Sequence, residues 1–162
     1  IVCFPGIMYR SGAEQKIRKY LIDNNYVDCI IQLPTNLFFG TSIATCIMVM
    51  KKNKSDNKTL FIDASNECIK VTNNNKLTPE NIKKIVDVYS LKEEVEHFSH
   101  LSSYEEIVSN NYNLFVPTYV ESEDVKEKID ITELTSRLEN LVKEEEKLRN
   151  KIAEIVREIE VK

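Results

Sequence analysis

The sequence predicts an α/β fold that ends in a long helix, and three observations support this class. Two apolar runs of strand length, residues 27–33 and 44–50, are rich in Ile, Val and Cys and are separated by turn residues. A short strand, residues 1–4, and a helical pattern precede them, which is the strand–helix–strand order of a crossover in an α/β sheet. From residue 130 onward, apolar residues recur at heptad spacing without Gly or Pro.

Length and composition agree with this class. A chain of 162 residues, 42% apolar and 30% charged, fits one soluble domain with or without an appendage. Its apolar runs are much shorter than the roughly 18 residues that span a bilayer, and no signal peptide opens it, so we expect no membrane association. Because the chain begins inside a strand pattern and without Met, we expect a fragment of a longer polypeptide.

The cysteines and histidines do not predict a metal or redox site. No CxxC pair occurs among the four cysteines, Cys3, Cys29, Cys46 and Cys68. The first three lie in apolar strand runs, where a free cysteine acts as a small hydrophobe, and we expect a reduced, cytoplasmic protein. His97 and His100 could share a helix face, but no further ligands are arranged around them, so we expect no metal.

The net charge of −4 comes from the end of the chain. Residues 121–162 hold nine Lys/Arg and thirteen Asp/Glu, whereas residues 1–120 hold thirteen of each. This is not the basic footprint of a nucleic-acid-binding domain. If the chain contacts DNA, most phosphate contacts must come from elsewhere.

The first helix follows Ser11 and Glu14, which have the spacing of a capping box. We expect it to bury one apolar side, formed by Ile17, Tyr20 and Leu21, with Tyr9 as a further candidate. We expect its basic residues to face water: Arg10, Lys16, Arg18 and Lys19. The strand at 44–51 returns after a connection too short for a helical crossover, so it should run antiparallel beside its predecessor.

Further elements follow from local signals. Residues 60–62 form a strand that ends at Asp63, a carboxylate that we expect to be structural, and residues 66–76 form a loop or a hairpin. Thr78 followed by Pro79 starts a helix, and Ser103 with Glu106 starts a shorter one. Residues 111–120 should be extended across the domain surface.

The connection between the two main strands is unusual because it carries Phe38 and Phe39 next to each other. Loops are normally polar, since exposed aromatic surface must be hidden from water somewhere. Either the two rings fold back as a lid on the core, or they have a function.

The tail forms an unbroken heptad frame with one charged member, Glu145. Its apolar members are Leu134, Leu138, Leu141, Leu148, Ile152, Ile155 and Ile159. A helix of this length extends about 40 Å. The apolar residues of the frame form a seam along the helix. This seam needs a partner helix, which can come from its own domain, a second copy or another protein.

Taken together, several segments resemble one known family over about residues 1–120. They are Gly12-Ala13-Glu14 with Ile17-Arg18, Val27-Asp28 to Leu33-Pro34, Asn36-Leu37-Phe38 with Gly40-Thr41, Ile43-Ala44-Thr45-Cys46-Ile47 with Lys51-Lys52, Leu60 to Ser65, and Tyr112-Asn113-Leu114. The chain resembles the C-terminal part of the modification (M) subunit of type I restriction–modification systems, which are adenine-N6 DNA methyltransferases. The acidic tail agrees only in character with the helical end of that subunit.

The resemblance implies the C-terminal part of a class I methyltransferase sheet, with one reversed strand, followed by a helical region that ends in a long coiled-coil-like helix. Residues 1–4, 27–33 and 44–50 would be its fifth, sixth and seventh strands. The family binds S-adenosylmethionine at a glycine-rich loop and catalyses transfer at an Asn-Pro-Pro-Phe/Tyr loop. This sequence has neither, so the parent is expected to be a transferase, and this chain alone to be inactive and without cofactor.

The resemblance also assigns functional residues and partners. Phe38, with Phe39 as a second candidate, would stack on the adenine base that leaves the duplex. The heptad residues would bind the specificity (S) subunit, with DNA and, where present, a restriction (R) subunit joining through the full complex. Residues 1–65 would belong to the catalytic domain, 66–128 would pack on it, and 129–162 would serve assembly.

A second interpretation is a non-catalytic interaction module that self-associates through its C-terminal helix. A weak homodimer is also expected under the first interpretation when the partner is absent. An unrelated α/β enzyme would need a phosphate loop or a catalytic triad, and the sequence shows neither.

Overall fold

The computed structural model describes residues 1–122 and 131–160, without the side chains of residues 131–134, 154–155 and 158–160. The chain divides into two units, Ile1–Glu123 and Asp124–Lys162. The first unit contains a five-stranded sheet, a small hairpin and several helices, and the second contains one long helix.

The strands are β1 (Val2–Cys3), β2 (Val27–Gln32), β3 (Cys46–Met50), β4 (Thr59–Asp63), β5 (Ile69–Val71), β6 (Asn74–Lys76) and β7 (Ser99–Ser102). The helices are α1 (Gly6–Tyr9), α2 (Ala13–Asp23), α3 (Pro79–Leu91), α4 (Tyr104–Ser109) and α5 (Ile131–Glu160), with a 3₁₀ turn at Val116–Thr118. The main sheet has the order β1-β3-β2-β4-β7, and β5 and β6 form the hairpin. This agrees with the predicted α/β class.

The predicted antiparallel pairing of β2 and β3 is confirmed, with Gln32 opposite Cys46 and Ile30 opposite Met48. Strand β3 also pairs antiparallel with β1, so β1 and β2 run in the same direction on either side of it. Strand β4 is parallel to β2. The carboxyl ends of β1, β2 and β4 therefore meet at one edge of the sheet, which we call the carboxyl edge.

Both faces of the sheet are covered. One face buries Ile30, Met48 and Phe61 together with Met8 of α1, and the Phe61 ring stacks on Tyr119 at a centroid distance of 3.9 Å. The other face buries apolar residues of β2 and β4 against α3. Burial on both faces explains why the strand sequences are continuous apolar runs and do not alternate with polar residues.

The segment from 111 to 120 does not run extended across the surface, as the sequence predicted. It turns into the 3₁₀ helix and inserts Leu114, Val116 and Val120 into the core on the face of the sheet that contains Phe61. The backbone amide of Leu114 donates to the carbonyl of Met8 at 2.9 Å. Apolar burial and this hydrogen bond hold the segment against the sheet.

The orientation of α2 differs in part from the prediction: Leu21 packs against the core as predicted, but the two other predicted residues of α2 do not. The Arg18 side chain is buried, with 3% of its surface exposed, whereas Ile17 and Tyr20 are 58% and 60% exposed. Arg18 lies inside because its guanidinium satisfies carbonyl groups of two other segments. The capping box at Ser11 was also wrong, because the helix begins after Gly12, which has φ 86° and makes no side-chain cap.

Other local predictions are confirmed. Thr78 and Asn81 form a capping box at the start of α3, and Ser103 accepts a hydrogen bond from the Glu106 amide at the start of α4. Residues 66–76 include the hairpin that the sequence left open as one of two alternatives. The Asp63 carboxylate caps the turn after β4 by accepting from the Ser65 amide.

The two histidines do not share a helix face. His100 lies in β7, where its ring nitrogens are 2.9 Å from Glu94 and 3.1 Å from Glu106. His97 precedes the strand with φ 58°. His100 lies in a strand that pairs with β4, so this segment cannot form the helix on which residues at i and i+3 would share a face. In the part of the chain that the structure describes, no three His, Cys, Asp or Glu side chains are grouped to hold a metal ion.

The second unit is the helix α5, as the uninterrupted heptad pattern predicted. The seam residues Leu138, Leu141, Leu148 and Ile152 are each about 60% exposed. The side chains of Leu134, Ile155 and Ile159 lie outside the described part. Glu145, the charged seam position, accepts from Arg149 on the same helix at 2.8 Å. Within residues 1–122 and 131–160, no helix is apolar enough over sufficient length to cross a membrane.

Candidate functional site

The connection between β2 and β3 lies at the carboxyl edge of the sheet and is held at both ends. The amide of Leu33 donates to the carbonyl of Thr45 at 2.8 Å, which closes the base of the loop. The amide of Ala64, after β4, donates to the carbonyl of Gln32 at 2.9 Å. The loop therefore starts and ends on rigid strands.

The hairpin β5–β6 braces the loop from the side. The backbone amide of Asn75 donates to the carbonyl of Asn36 at 2.8 Å, and its side-chain amide donates to the carbonyl of Thr35 at 2.8 Å. Asn36 has φ 51°, a left-handed conformation that asparagine tolerates better than most residues. The sequence did not identify Asn75 as part of the site, because a run of three asparagines is typical of any loop.

The tip of the loop presents its two aromatic rings differently. Leu37 packs against the buried core, Phe38 is 43% exposed and Phe39 is 97% exposed. Gly40 follows with φ 80°, and the Thr41 amide donates to the carbonyl of Phe38, so the chain turns back at this point. The ring of Phe39 cannot act as the lid that was one of the two sequence interpretations, because almost none of its surface is covered.

The loop itself carries no charged residue. Between Asp28 and Lys51 the sequence has no Asp, Glu, Lys or Arg. The side-chain oxygens of Gln32 and Thr45, at the two ends of the loop, are buried and lack a hydrogen-bond partner among the described residues. Buried acceptors are rarely left without donors in folded proteins. The loop thus combines exposed aromatic surface, unused acceptors at its base and no charged residue of its own.

A separate charged cluster lies at the opposite edge of the sheet, which sequence reasoning missed. The Asp28 carboxylate is 3.0 Å from the ammonium groups of both Lys51 and Lys92, and it accepts from the Tyr89 hydroxyl at 2.7 Å. Burial would raise the pKa of Asp28, but these three hydrogen bonds outweigh burial and hold the pKa at about 2. The cluster joins β2 to the end of β3 and to α3, which is a structural role.

The buried cysteines are not candidates for nucleophilic chemistry. Burial raises the pKa of Cys29 and of Cys46 to about 12, so both thiols stay protonated at neutral pH. All four cysteines are free, and the three in strands behave as small core residues, as predicted. The aromatic loop can bind a ligand by a different route, because its exposed rings can stack on a flat, uncharged group.

Comparisons with known proteins give a consistent result. The model of the N-6 DNA Methylase family matches residues 1–128. The chain is 49% identical over 162 residues to the type I restriction enzyme MpnII methylase subunit of Mycoplasma pneumoniae, covering 99% of the chain and 30% of that protein. It is 38% identical to the MjaVII methylase subunit of Methanocaldococcus jannaschii, of which it covers 27%. The chain thus spans about 30% of the length of these curated relatives.

Solved structures agree with the sequence comparisons. The chain is similar to the methyltransferase subunit of a type I restriction–modification system from Streptococcus thermophilus, with 44% identity, a TM-score of 0.74, and coverage of 76% of this chain and 26% of that chain. The EcoKI M protein is 14% identical with a TM-score of 0.59, a likeness that concerns the fold alone. The mixed sheet with its helices matches the methyltransferase-like fold of these subunits.

Proposed function

Because the chain belongs to the N-6 DNA methylase family, we propose that it is the C-terminal part of a type I modification subunit that methylates adenine N6 in DNA. The observation that carries this proposal is the 49% identity to a type I methylase subunit, which extends over 99% of the chain. Residues 1–65 then complete the catalytic domain, residues 66–128 add the edge strand β7 to its sheet and pack on it, and residues 129–162 serve assembly.

Phe38 is the residue that we propose to stack on the adenine when it leaves the duplex, with Phe39 beside it. An enzyme that modifies a base inside a duplex must extrude that base, and aromatic rings hold extruded bases by stacking. The half-covered ring of Phe38 lies in a loop whose base is closed by strand hydrogen bonds and whose flank is braced by Asn75. This support favours Phe38 as a fixed platform.

The methyl donor of such enzymes is S-adenosylmethionine, which supplies the transferred methyl group. Residues of this chain do not fit a site for it, because its three glycines, Gly6, Gly12 and Gly40, are isolated and no Asn-Pro-Pro sequence occurs. Cofactor binding and catalysis therefore belong to other parts of the enzyme in this proposal. The chain contributes base binding and assembly and is inactive by itself.

The helix α5 is proposed to bind a specificity subunit. The described seam residues of α5 are exposed apolar side chains. Burying each of them is worth about 1.5–3 kcal/mol. Pairing with another helix, in the manner of a coiled coil, removes this surface from water. A restriction subunit and DNA then join through the full complex.

The proposal is tested with Phe38→Ala in the longer methylase subunit that contains this chain, assembled with its specificity subunit. Loss of one stacked ring should weaken binding of the extruded adenine by about 1–3 kcal/mol. Phe38→Tyr is the matched control, since it keeps the ring and should methylate at nearly the original rate. Normal methylation by a folded Phe38→Ala variant would show that the ring does not hold the base.

A further inference from the structure

We infer that Phe39 has a role different from that of Phe38: it is the wedge that enters the base stack of duplex DNA as the target adenine leaves. This inference rests on the proposed function, because it needs an extruded base. The wedge fills the space that the adenine vacates and so lowers the free energy of the extruded state. Phe38 then holds the adenine outside the duplex.

The exposures of the two rings support this division of roles. A ring that stacks on one base needs protein support on one face and an open surface on the other, and Phe38 has 43% of its surface exposed. A wedge must enter between bases and contact them on both faces, so it must project from the protein. Phe39 does so, since 97% of its surface is exposed.

The loop is built to keep Phe39 in this position. Leu37, two residues earlier, is partly buried against the core, and Asn36 is held by the hydrogen bond from the Asn75 amide. After the ring, Gly40 adopts φ 80° and the chain turns back towards β3. Because the backbone on both sides of Phe39 is held, less conformational entropy is lost when the ring inserts, which favours insertion.

The chemistry of the loop suits contact with DNA bases. Proteins that unstack base steps insert apolar side chains such as Phe, Leu, Ile or Met. No Asp or Glu lies between residues 29 and 50, so the loop brings no negative charge near the phosphates. No Lys or Arg lies there either, so the loop has no cation to pair with the DNA phosphates. In this inference it contacts DNA through its apolar and polar groups.

The test compares two duplexes in the assembled methylase. In one duplex the target adenine pairs with thymine, and in the other it faces an abasic site, so that little pairing must be broken. A wedge contributes when the base must be forced out. Phe39→Ala should therefore slow methylation of the paired duplex about tenfold or more and leave the abasic duplex nearly unaffected.

Leucine substitutions separate a wedge from a stacking platform. Phe39→Leu should retain most activity on the paired duplex, because leucine also serves as an apolar wedge. Phe38→Leu should slow both duplexes, because it removes the aromatic ring that holds the extruded base. Leu91→Ala, at an exposed apolar residue in α3, is the control for loss of exposed apolar surface and should be neutral.

Three outcomes would overturn the wedge. These are no effect of Phe39→Ala on the paired duplex, an equal loss on both duplexes, or an equal loss for Phe39→Leu and Phe39→Ala. Since the Phe39 side chain is exposed, its loss should leave folding unchanged, which thermal unfolding checks. Failure of the proposed stacking role of Phe38 gives a different result: Phe38→Ala and Phe38→Leu would then methylate both duplexes at the original rate.

Discussion

Arg18 in α2 donates a hydrogen bond from Nε to the carbonyl oxygen of Tyr112, at 2.8 Å and 94 positions later in the chain. The same guanidinium donates from Nη1 to the carbonyl oxygen of Ile7 at 2.7 Å. Burial lowers the pKa of Arg18, while Glu14 acts in the opposite direction. One buried side chain thus links α2, α1 and the segment that enters the core before the 3₁₀ turn.

Replacing Arg18 by Met should lower the free energy of unfolding by about 2–4 kcal/mol, because two carbonyl groups lose a charged donor. Arg18→Lys should be intermediate, since one ammonium does not reproduce the geometry of the guanidinium. Lys16→Met, at an exposed position of the same helix, should change the free energy by less than about 0.5 kcal/mol. Urea denaturation measures all three, and equal effects of Arg18→Met and Lys16→Met would contradict the structural role of Arg18.

The Asp28 cluster predicts a specific dependence of stability on pH. The pKa of this carboxyl is about 2 in the folded chain and 3.8 as its ordinary value, so the native state favours the charged form. Its stabilisation is therefore complete above about pH 4 and is lost as the pH falls towards 2. Because its lysine partner Lys51 is half exposed and solvent screens the pair, we expect about 1–2 kcal/mol.

The variant Asp28→Asn should be less stable at pH 7 and should show a flatter dependence of the free energy of unfolding between pH 4 and 2. Asp87→Asn, at an exposed position of α3, is the control and should keep the original dependence. Urea denaturation at several pH values measures both. The same slope in Asp28→Asn as in the original chain would assign the acid sensitivity to other carboxylates.

Residues 1–162 by themselves should bind no S-adenosylmethionine and methylate no DNA, because they contain neither a glycine-rich loop nor an Asn-Pro-Pro sequence. Isothermal titration calorimetry measures binding, with the longer methylase subunit as the positive control. Saturable binding of the cofactor to this chain in the micromolar range would contradict the proposal that cofactor binding belongs to other parts of the enzyme.

Replacing Leu141 and Leu148 by Asp should abolish capture of α5 by the specificity subunit, because both side chains lie in the apolar seam. The matched control changes Lys143 and Asn150 to Asp. These residues have the same spacing of seven but lie on the opposite face of the helix, so capture should persist. Pull-down with the specificity subunit measures it, and capture by the Leu141/Leu148 variant would remove the assembly role.

The solution mass of the chain with and without residues 130–162 separates assembly with a different partner from self-association. Glu145 pairs with Arg149 on the same helix. This ion pair reduces the charge repulsion that two copies of α5 would have at the Glu145 position. A stable dimer that disappears on truncation would favour the self-associating module. A monomer in both cases agrees with a helix that awaits a different partner.

Much of the sheet was predictable because its signals are local. The apolar runs of β2 and β3 and the short connection between them require antiparallel neighbours, and the structure pairs them so. The Thr78 cap and the uninterrupted heptads of α5 likewise depend on residues only a few positions apart. The adjacent rings of Phe38 and Phe39 could be identified because two aromatic residues in a loop break a local rule.

The inward face of α2 and the brace of the aromatic loop were decided only by the tertiary structure. The pattern of Ile17, Tyr20 and Leu21 looks like a buried face, yet the partners of Arg18 lie in segments that sequence spacing does not bring near it. Asn75 could not be assigned to the loop for the same reason, since it acts across 40 positions. Side-chain periodicity reports which residues share a face, whereas burial and hydrogen bonding depend on which distant segment packs against that face.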